Sequence, residues 1–140
     1  MIFTLKNKFI NIDNYNLKCA IGKRGTKKNK REGDKFTPIG TYRFIGVYYR
    51  KDRINKLKTN LRKKIIKKNM GWCDDFKSKD YNKEIKFPFN YRAEKLYRSD
   101  NIYDIIIEIS YNKHPTIKKR GSAIFIHIAK RNYSPTKGCI

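Results

Sequence analysis

Three successive isoleucines, Ile105, Ile106 and Ile107, inside the Ile-rich stretch Ile102–Ile109 leave little choice of structure for this part of the chain. β-Branched side chains lose rotamer freedom in a helix and pack well on a pleated sheet. A run this short, apolar on both faces, predicts a strand buried on both sides. Ala123–Ala129 is a second such segment, and it carries one polar ring, His127, within it. Thr41–Tyr49 alternates and is rich in aromatic residues, which predicts a third strand. Met1–Leu5 and Asn16–Ile21 are shorter, partly alternating runs bounded by Asn, Asp and Gly. The fold class that follows is mainly β, with one or two minor helices.

The connections are polar. Gly22–Lys35 is a basic loop holding Gly25 and Gly33, either a mobile flap or a long connection. Thr37-Pro38-Ile39-Gly40 is a turn signal, Pro fixing φ and Gly freeing it. In Asp52–Lys68, Ile54, Leu57, Leu61 and Ile65 recur at helical spacing with Lys and Arg between them. That predicts a surface helix with a narrow apolar seam; a membrane- or nucleic-acid-binding amphipathic helix and a basic loop are the alternatives. Asn112–Gly121 is a loop around Pro115, and Asn132–Gly138 is a turn that ends on Cys139. No internal repeat or linker divides the 140 residues, so one domain over 1–140 is expected.

The net charge of +23, from 35 basic and 12 acidic residues, raises the possibility of nucleic acid or another polyanion as partner. Abundant Lys, Ile and Asn together also follow from A+T-rich codons, with no partner at all. No helix-turn-helix, zinc-finger or P-loop signature accompanies the charge, so nucleic acid is not the expected partner. The three cysteines, Cys19, Cys73 and Cys139, form no C-x-x-C pair, and with only His114 and His127 beside them a metal site is not expected. Met1–Ile12 is too short and too broken by Lys and Asn for a secretory h-region, and no run approaches a membrane span.

His127 and Cys139 gain meaning as a pair. Alone, the first reads as a satisfied core histidine and the second as a buried structural thiol. Yet a strand His and a turn Cys twelve positions apart meet if the loop between them folds back. A thiol needs an adjacent base or positive field to ionise near neutral pH. His127 supplies the base and Lys137 part of the field, while the amides of Gly138 and Cys139 are suited to an oxyanion. This is the outline of an acyl-transfer site.

The segment Gly121-Ser-Ala-Ile-Phe-Ile-His127-Ile128 through Pro135-Thr136-Lys137-Gly138-Cys139 resembles the signature of the L,D-transpeptidase catalytic domain: a His, a gap, Ser or Thr, usually His, then Gly-Cys. Glu32-Gly-Asp-Lys-Phe-Thr-Pro-Ile-Gly-Thr-Tyr42 is similar to that family's T-P-x-G-x-F/Y segment. Gly71-Trp72-Cys73-Asp74-Asp75 and Tyr103-Asp104 look like a short, single-domain branch of it. The likeness runs from about Cys19 to the end.

The resemblance implies a β-sandwich of the L,D-transpeptidase kind and a cysteine acyl-enzyme mechanism on peptidoglycan stem peptides. Cys139 is then the nucleophile, His127 its base, Thr136 a positioning residue, and Gly138 with Cys139 the oxyanion donors. No metal or organic cofactor is implied. The substrate would lie in the bacterial envelope. Trp72, Cys73 and Asp74 either line the substrate cleft or form a structural turn with Trp72 as core anchor; Arg43, Tyr103 and His114 make no stronger claim. Lys137 replaces the usual second His, and the gap from His127 to Cys139 suits the short branch. Family members continue past Gly-Cys, so a segment beyond Ile140 is expected. The competing reading is a basic non-catalytic module for nucleic acid or an anionic envelope polymer, or an inactive homologue.

Overall fold

The computed structural model describes residues 3–140, leaving Met1 and Ile2 of the first expected strand outside the description. Strands β1 (Phe3–Lys6), β2 (Phe9–Ile12) and β3 (Tyr15–Lys18) form an antiparallel meander. Lys6 pairs with Phe9, and the two residues between them, Asn7 and Lys8, both have positive φ, as a tight primed hairpin turn requires. β2 is absent from the sequence reading, and β3 begins one residue ahead of the expected Asn16. All three strands are partly or fully solvent-facing, so burial left no pattern to read.

β4 (Thr26–Lys27) and β5 (Thr37–Pro38) pair in parallel. Thr37-Pro38 was expected as a turn and is instead a buried strand. Pro38 is tolerated because its neighbours supply the ladder: Thr37 N–H donates to Gly25 O at 2.9 Å and Ile39 N–H to Lys27 O at 3.0 Å.

The remaining strands build the two layers of the core. β6 (Phe44–Tyr49), β7 (Lys63–Ile65), β11 (Ile105–Ile109) and β12 (Phe125–His127) form a sheet in the order β12-β11-β6-β7. β11 is an inner strand, as its triple-Ile run predicted, with Ile106, Glu108 and Ile109 buried and Ile105 and Ile107 partly so; it is antiparallel to both neighbours, and β7 lies parallel to β6. β8 (Met70–Cys73) sits between β9 (Glu84–Lys86) and β10 (Ala93–Lys95). Trp72 of β8 reaches across, its ring 4.9 Å edge-on from Phe125 and 6.1 Å from Tyr48. Ile66, Met70, Leu96, Ile102, Tyr103 and Ile106 close the core around it. Edge-to-face pairs of this kind add about 1 kcal/mol each beyond the area they bury. The mainly β sandwich class is what the structure has.

The helix expected over Asp52–Lys68 does not form. The residues to Arg62 are irregular, and Lys63–Ile65 is strand β7. The only helical turn among the described residues is a 3-10 turn at Arg131–Tyr133. A helix would have stacked Lys58 on Arg62, Lys63 on Lys67 and Lys64 on Lys68 at i,i+4, each repulsive. Pairing with β6 gives these residues backbone partners without that stacking: Val47 N–H donates to Arg62 O and Ile66 N–H to Tyr49 O. At the other end Arg53 is drawn away, its guanidinium holding the Ser99 and Asp100 carbonyls and the Asp104 carboxylate at 2.7–3.0 Å.

Candidate active site

Alternation along β12 puts Phe125 and His127 on one face. Tyr103 meets both edge-on, 6.2 Å from the Phe125 ring and 5.2 Å from that of His127. The imidazole Nδ1 lies 2.9 Å from the Ile128 carbonyl oxygen. A carbonyl only accepts, so the contact selects the Nδ1–H tautomer and leaves the lone pair on Nε2. Desolvation holds the His127 pKa below the ordinary imidazole value, so the ring is neutral at pH 7.

Cys139 comes back to β12 by a fixed route. The 3-10 turn, with left-handed Asn132 and Tyr133, reverses the chain. Thr136 docks on the N-terminal third: its N–H donates to Ile21 O and its carbonyl accepts Lys23 N–H, both at 2.9 Å. Its hydroxyl donates to Cys139 O at 2.6 Å and accepts Gly138 N–H at 3.0 Å. Ile140 then donates its N–H to Phe125 O at 3.0 Å and accepts His127 N–H at 2.9 Å. That is the bond pattern of a parallel pair, so the last residue adds a rung to the free edge of β12. Cys139 is therefore tied on both sides.

Gly138 is required where it stands. Its φ is +142°, and a Cβ there would sit 2.8 Å from the Phe36 carbonyl oxygen and 3.0 Å from Ile124 Cδ1. Its carbonyl accepts the Thr37 hydroxyl at 2.9 Å, and that hydroxyl accepts Gly22 N–H at 2.8 Å. Gly138→Ala should therefore cost about 2 kcal/mol in urea denaturation, because the obstructing atom is backbone and cannot swing aside. A cost below about 0.5 kcal/mol would mean that the turn relaxes freely.

The thiol is enclosed. Cys139 is 8 % exposed; its S–H donates to Ala123 O at 3.1 Å and its sulfur accepts Phe125 N–H at 3.5 Å. Burial pushes the Cys139 thiol up to about 12, so it rests protonated. Among the described residues no hydrogen bond joins its sulfur to His127. Gly138 N–H is engaged by Thr136, which leaves the Cys139 N–H, with no acceptor among the described residues, as the open donor.

The structure thus lays the Thr136–Cys139 turn along β12, with the Cys139 sulfur at the start of the strand, on Ala123 O and Phe125 N–H, and His127 as its last residue. Trp72 is not among them at the surface. It is 1 % exposed, its indole N–H donates to Asn82 Oδ1 at 3.0 Å, and it anchors the core. Asp74, just past β8, binds Arg92 Nε at 2.9 Å. Lys137 is exposed. Two further residues pack nearby: Tyr103, which made no stronger claim in the sequence, and Glu94, which the sequence did not single out. Tyr103 packs on His127, and its hydroxyl donates to Glu94 Oε1 at 2.9 Å. Desolvation raises the Glu94 carboxyl, against the opposing pull of the Tyr103 hydroxyl. A lone Glu opposite Trp72 in a short strand carries almost no signal in a sequence, whereas in space it is a half-buried acid bonded to Tyr103, whose ring packs on His127.

Cys19, Cys73 and Cys139 are all unpaired and buried. The family model of the L,D-transpeptidase catalytic domain matches residues 6–140, a span that includes every residue of the β12 cluster. No curated protein and no solved structure matches the chain. The reach of that one match, nearly end to end, settles the kinship: the chain belongs to the L,D-transpeptidase catalytic-domain (YkuD) family.

Proposed function

We propose that the protein is a cysteine acyltransferase that acts on peptidoglycan stem peptides. The observation that carries this reading is the His127 Nδ1 contact with the Ile128 carbonyl, which fixes the ring and leaves its lone pair on Nε2. A neutral imidazole so held is a general base ready at pH 7. The thiol leaves the Ala123 carbonyl, gives its proton to Nε2, and its sulfur attacks the carbonyl of the third stem residue. The Cys139 N–H holds the developing oxyanion. The imidazolium returns the proton to the departing D-Ala nitrogen, and a thioester remains on Cys139. An amine from a neighbouring stem closes a 3→3 cross-link, or water releases the tripeptide. Thr136 positions the loop by its two hydroxyl bonds. The substrate places this work at the bacterial envelope.

A pKa near 12 means that the resting thiol is inactive until substrate or loop movement brings it to the base. The same enclosure favours a second reading, a folded homologue without transferase activity. One experiment decides. Intact mass is measured after incubation with a carbapenem, and in parallel with a tetrapeptide muropeptide. The expected result is an acyl adduct on the natural protein, none on Cys139→Ala, and loss of D-Ala from the muropeptide. A folded natural protein that takes no adduct overturns the proposal and leaves the inactive homologue.

A further inference from the structure

The positive charge is not spread evenly. A cleft of about 720 Å³ is lined by nine residues of which seven are Lys or Arg, against 35 of 140 in the whole chain. Composition alone does not concentrate cations in a concavity. The lone carboxylate there, Asp34, is fully engaged: Lys30 Nζ at 3.1 Å, Arg31 N–H at 2.6 Å and Phe36 N–H at 3.1 Å. Lys118 is shared with a second cleft of about 700 Å³. Its two carboxylates are likewise taken, Glu84 by Lys64 at 2.6 Å and Glu108 by Lys113 at 3.0 Å. Exposed Arg62, Lys79 and Lys83 line the same cleft, and none of them has a carboxylate partner among the described residues. Neither cleft is lined by Cys139 or His127.

We propose that the two clefts, meeting at Lys118, bind a flexible linear polyanion of the polyphosphate class, with charge along its backbone and no bases to stack. Arg forks and Lys point charges both suit phosphate oxygens. Binding of single-stranded nucleic acid needs open aromatic faces in addition. The Phe, Tyr and Trp rings leave no such face open, and His114 is the one exposed aromatic ring that lines the second cleft. Trp72 and Tyr81 of the second cleft are each 1 % exposed. Phe36, beside the first, is covered by the Arg24 guanidinium at 4.6 Å and the Lys27 ammonium at 5.2 Å, and Phe76 by Lys119 at 5.0 Å. The clefts offer charge and concavity without an open Phe, Tyr or Trp platform.

The test is fluorescence anisotropy with end-labelled long-chain inorganic polyphosphate over a salt series. Binding should weaken linearly in log Kd against log salt, at about 0.7 per contacted phosphate. Lys118→Glu with Arg120→Glu should weaken binding about tenfold or more and flatten that slope. A control with the same charge change, Lys6→Glu with Lys51→Glu, lies outside both clefts and should stay within about twofold. Circular dichroism checks that each variant is folded, and Cys139→Ala should bind as the natural protein does. Equal weakening by the control pair overturns the proposal in favour of diffuse charge. So does a thymidine oligonucleotide of matched charge that binds more than about tenfold tighter, which would reveal base stacking. Absence of binding at low salt overturns it outright.

Discussion

His127→Gln should slow acylation by about a thousandfold, within the usual range for removal of a general base. Glutamine keeps an amide near the Ile128 carbonyl but offers no basic nitrogen. The pH profile makes the test specific. The His127 pKa lies below 6.5 because the ring is desolvated, so the active neutral form predominates at pH 7. Activity of the natural protein should therefore fall only as pH drops below 6.5 through that lowered value. In His127→Gln this acid limb should vanish, leaving a slow rate that climbs with pH toward the thiol's own ionisation near 12. Single-turnover acylation by a carbapenem, followed from pH 5 to pH 10, reads both features. An unchanged acid limb in the variant would show that another group is the base.

Trp72→Ala should destabilise the protein by about 4 kcal/mol, the usual cost of deleting a large core aromatic. The indole is the piece common to both layers, reaching from β8 to Phe125 on β12 and Tyr48 on β6 of the other sheet. Its loss opens a cavity between rings that are themselves locked edge-on. It also removes one of the two donors on Asn82 Oδ1, the other being Ala123 N–H at 3.1 Å. For a domain of this size the shift in melting temperature should be roughly 15 °C. Trp72→Phe, which fills most of the space but cannot bond Asn82, should lose only about 1 kcal/mol. Thermal unfolding of the two variants separates packing from the hydrogen bond. A cost below about 1 kcal/mol for Trp72→Ala would deny the residue its anchoring role.

What the sequence made legible tracks burial. Ile105–Ile109 and Phe125–His127 are covered on at least one face, and their composition announced them. β7 is exposed at all three residues, and the same stretch carries apolar spacing that mimics a helix. Only the parallel partner, β6, decides between the two forms, and a partner is not visible in a local window. The site shows the same divide. Cys139 and His127 stood out because Gly-Cys after a turn and a His in an apolar strand are locally odd. Glu94 did not, and Tyr103 was named only as a weaker candidate, because their significance is a contact between β10 and the segment ahead of β11. The core role of Trp72, one of two readings open beforehand, needed the facing sheet to be seen.

The bond from the Thr37 hydroxyl to the Gly138 carbonyl joins positions 101 apart. Thr136 and Ile21 add a second tie of nearly the same reach. Contacts this distant along the chain carry the largest loop-closure entropy and are slow to form. The turn that seats Cys139 should thus be among the last parts of the molecule to organise during refolding, after the local hairpins have closed. A thiol-reactive probe added at intervals would then report the end of folding rather than its start, since protection of Cys139 arrives only when the two ends of the chain have met.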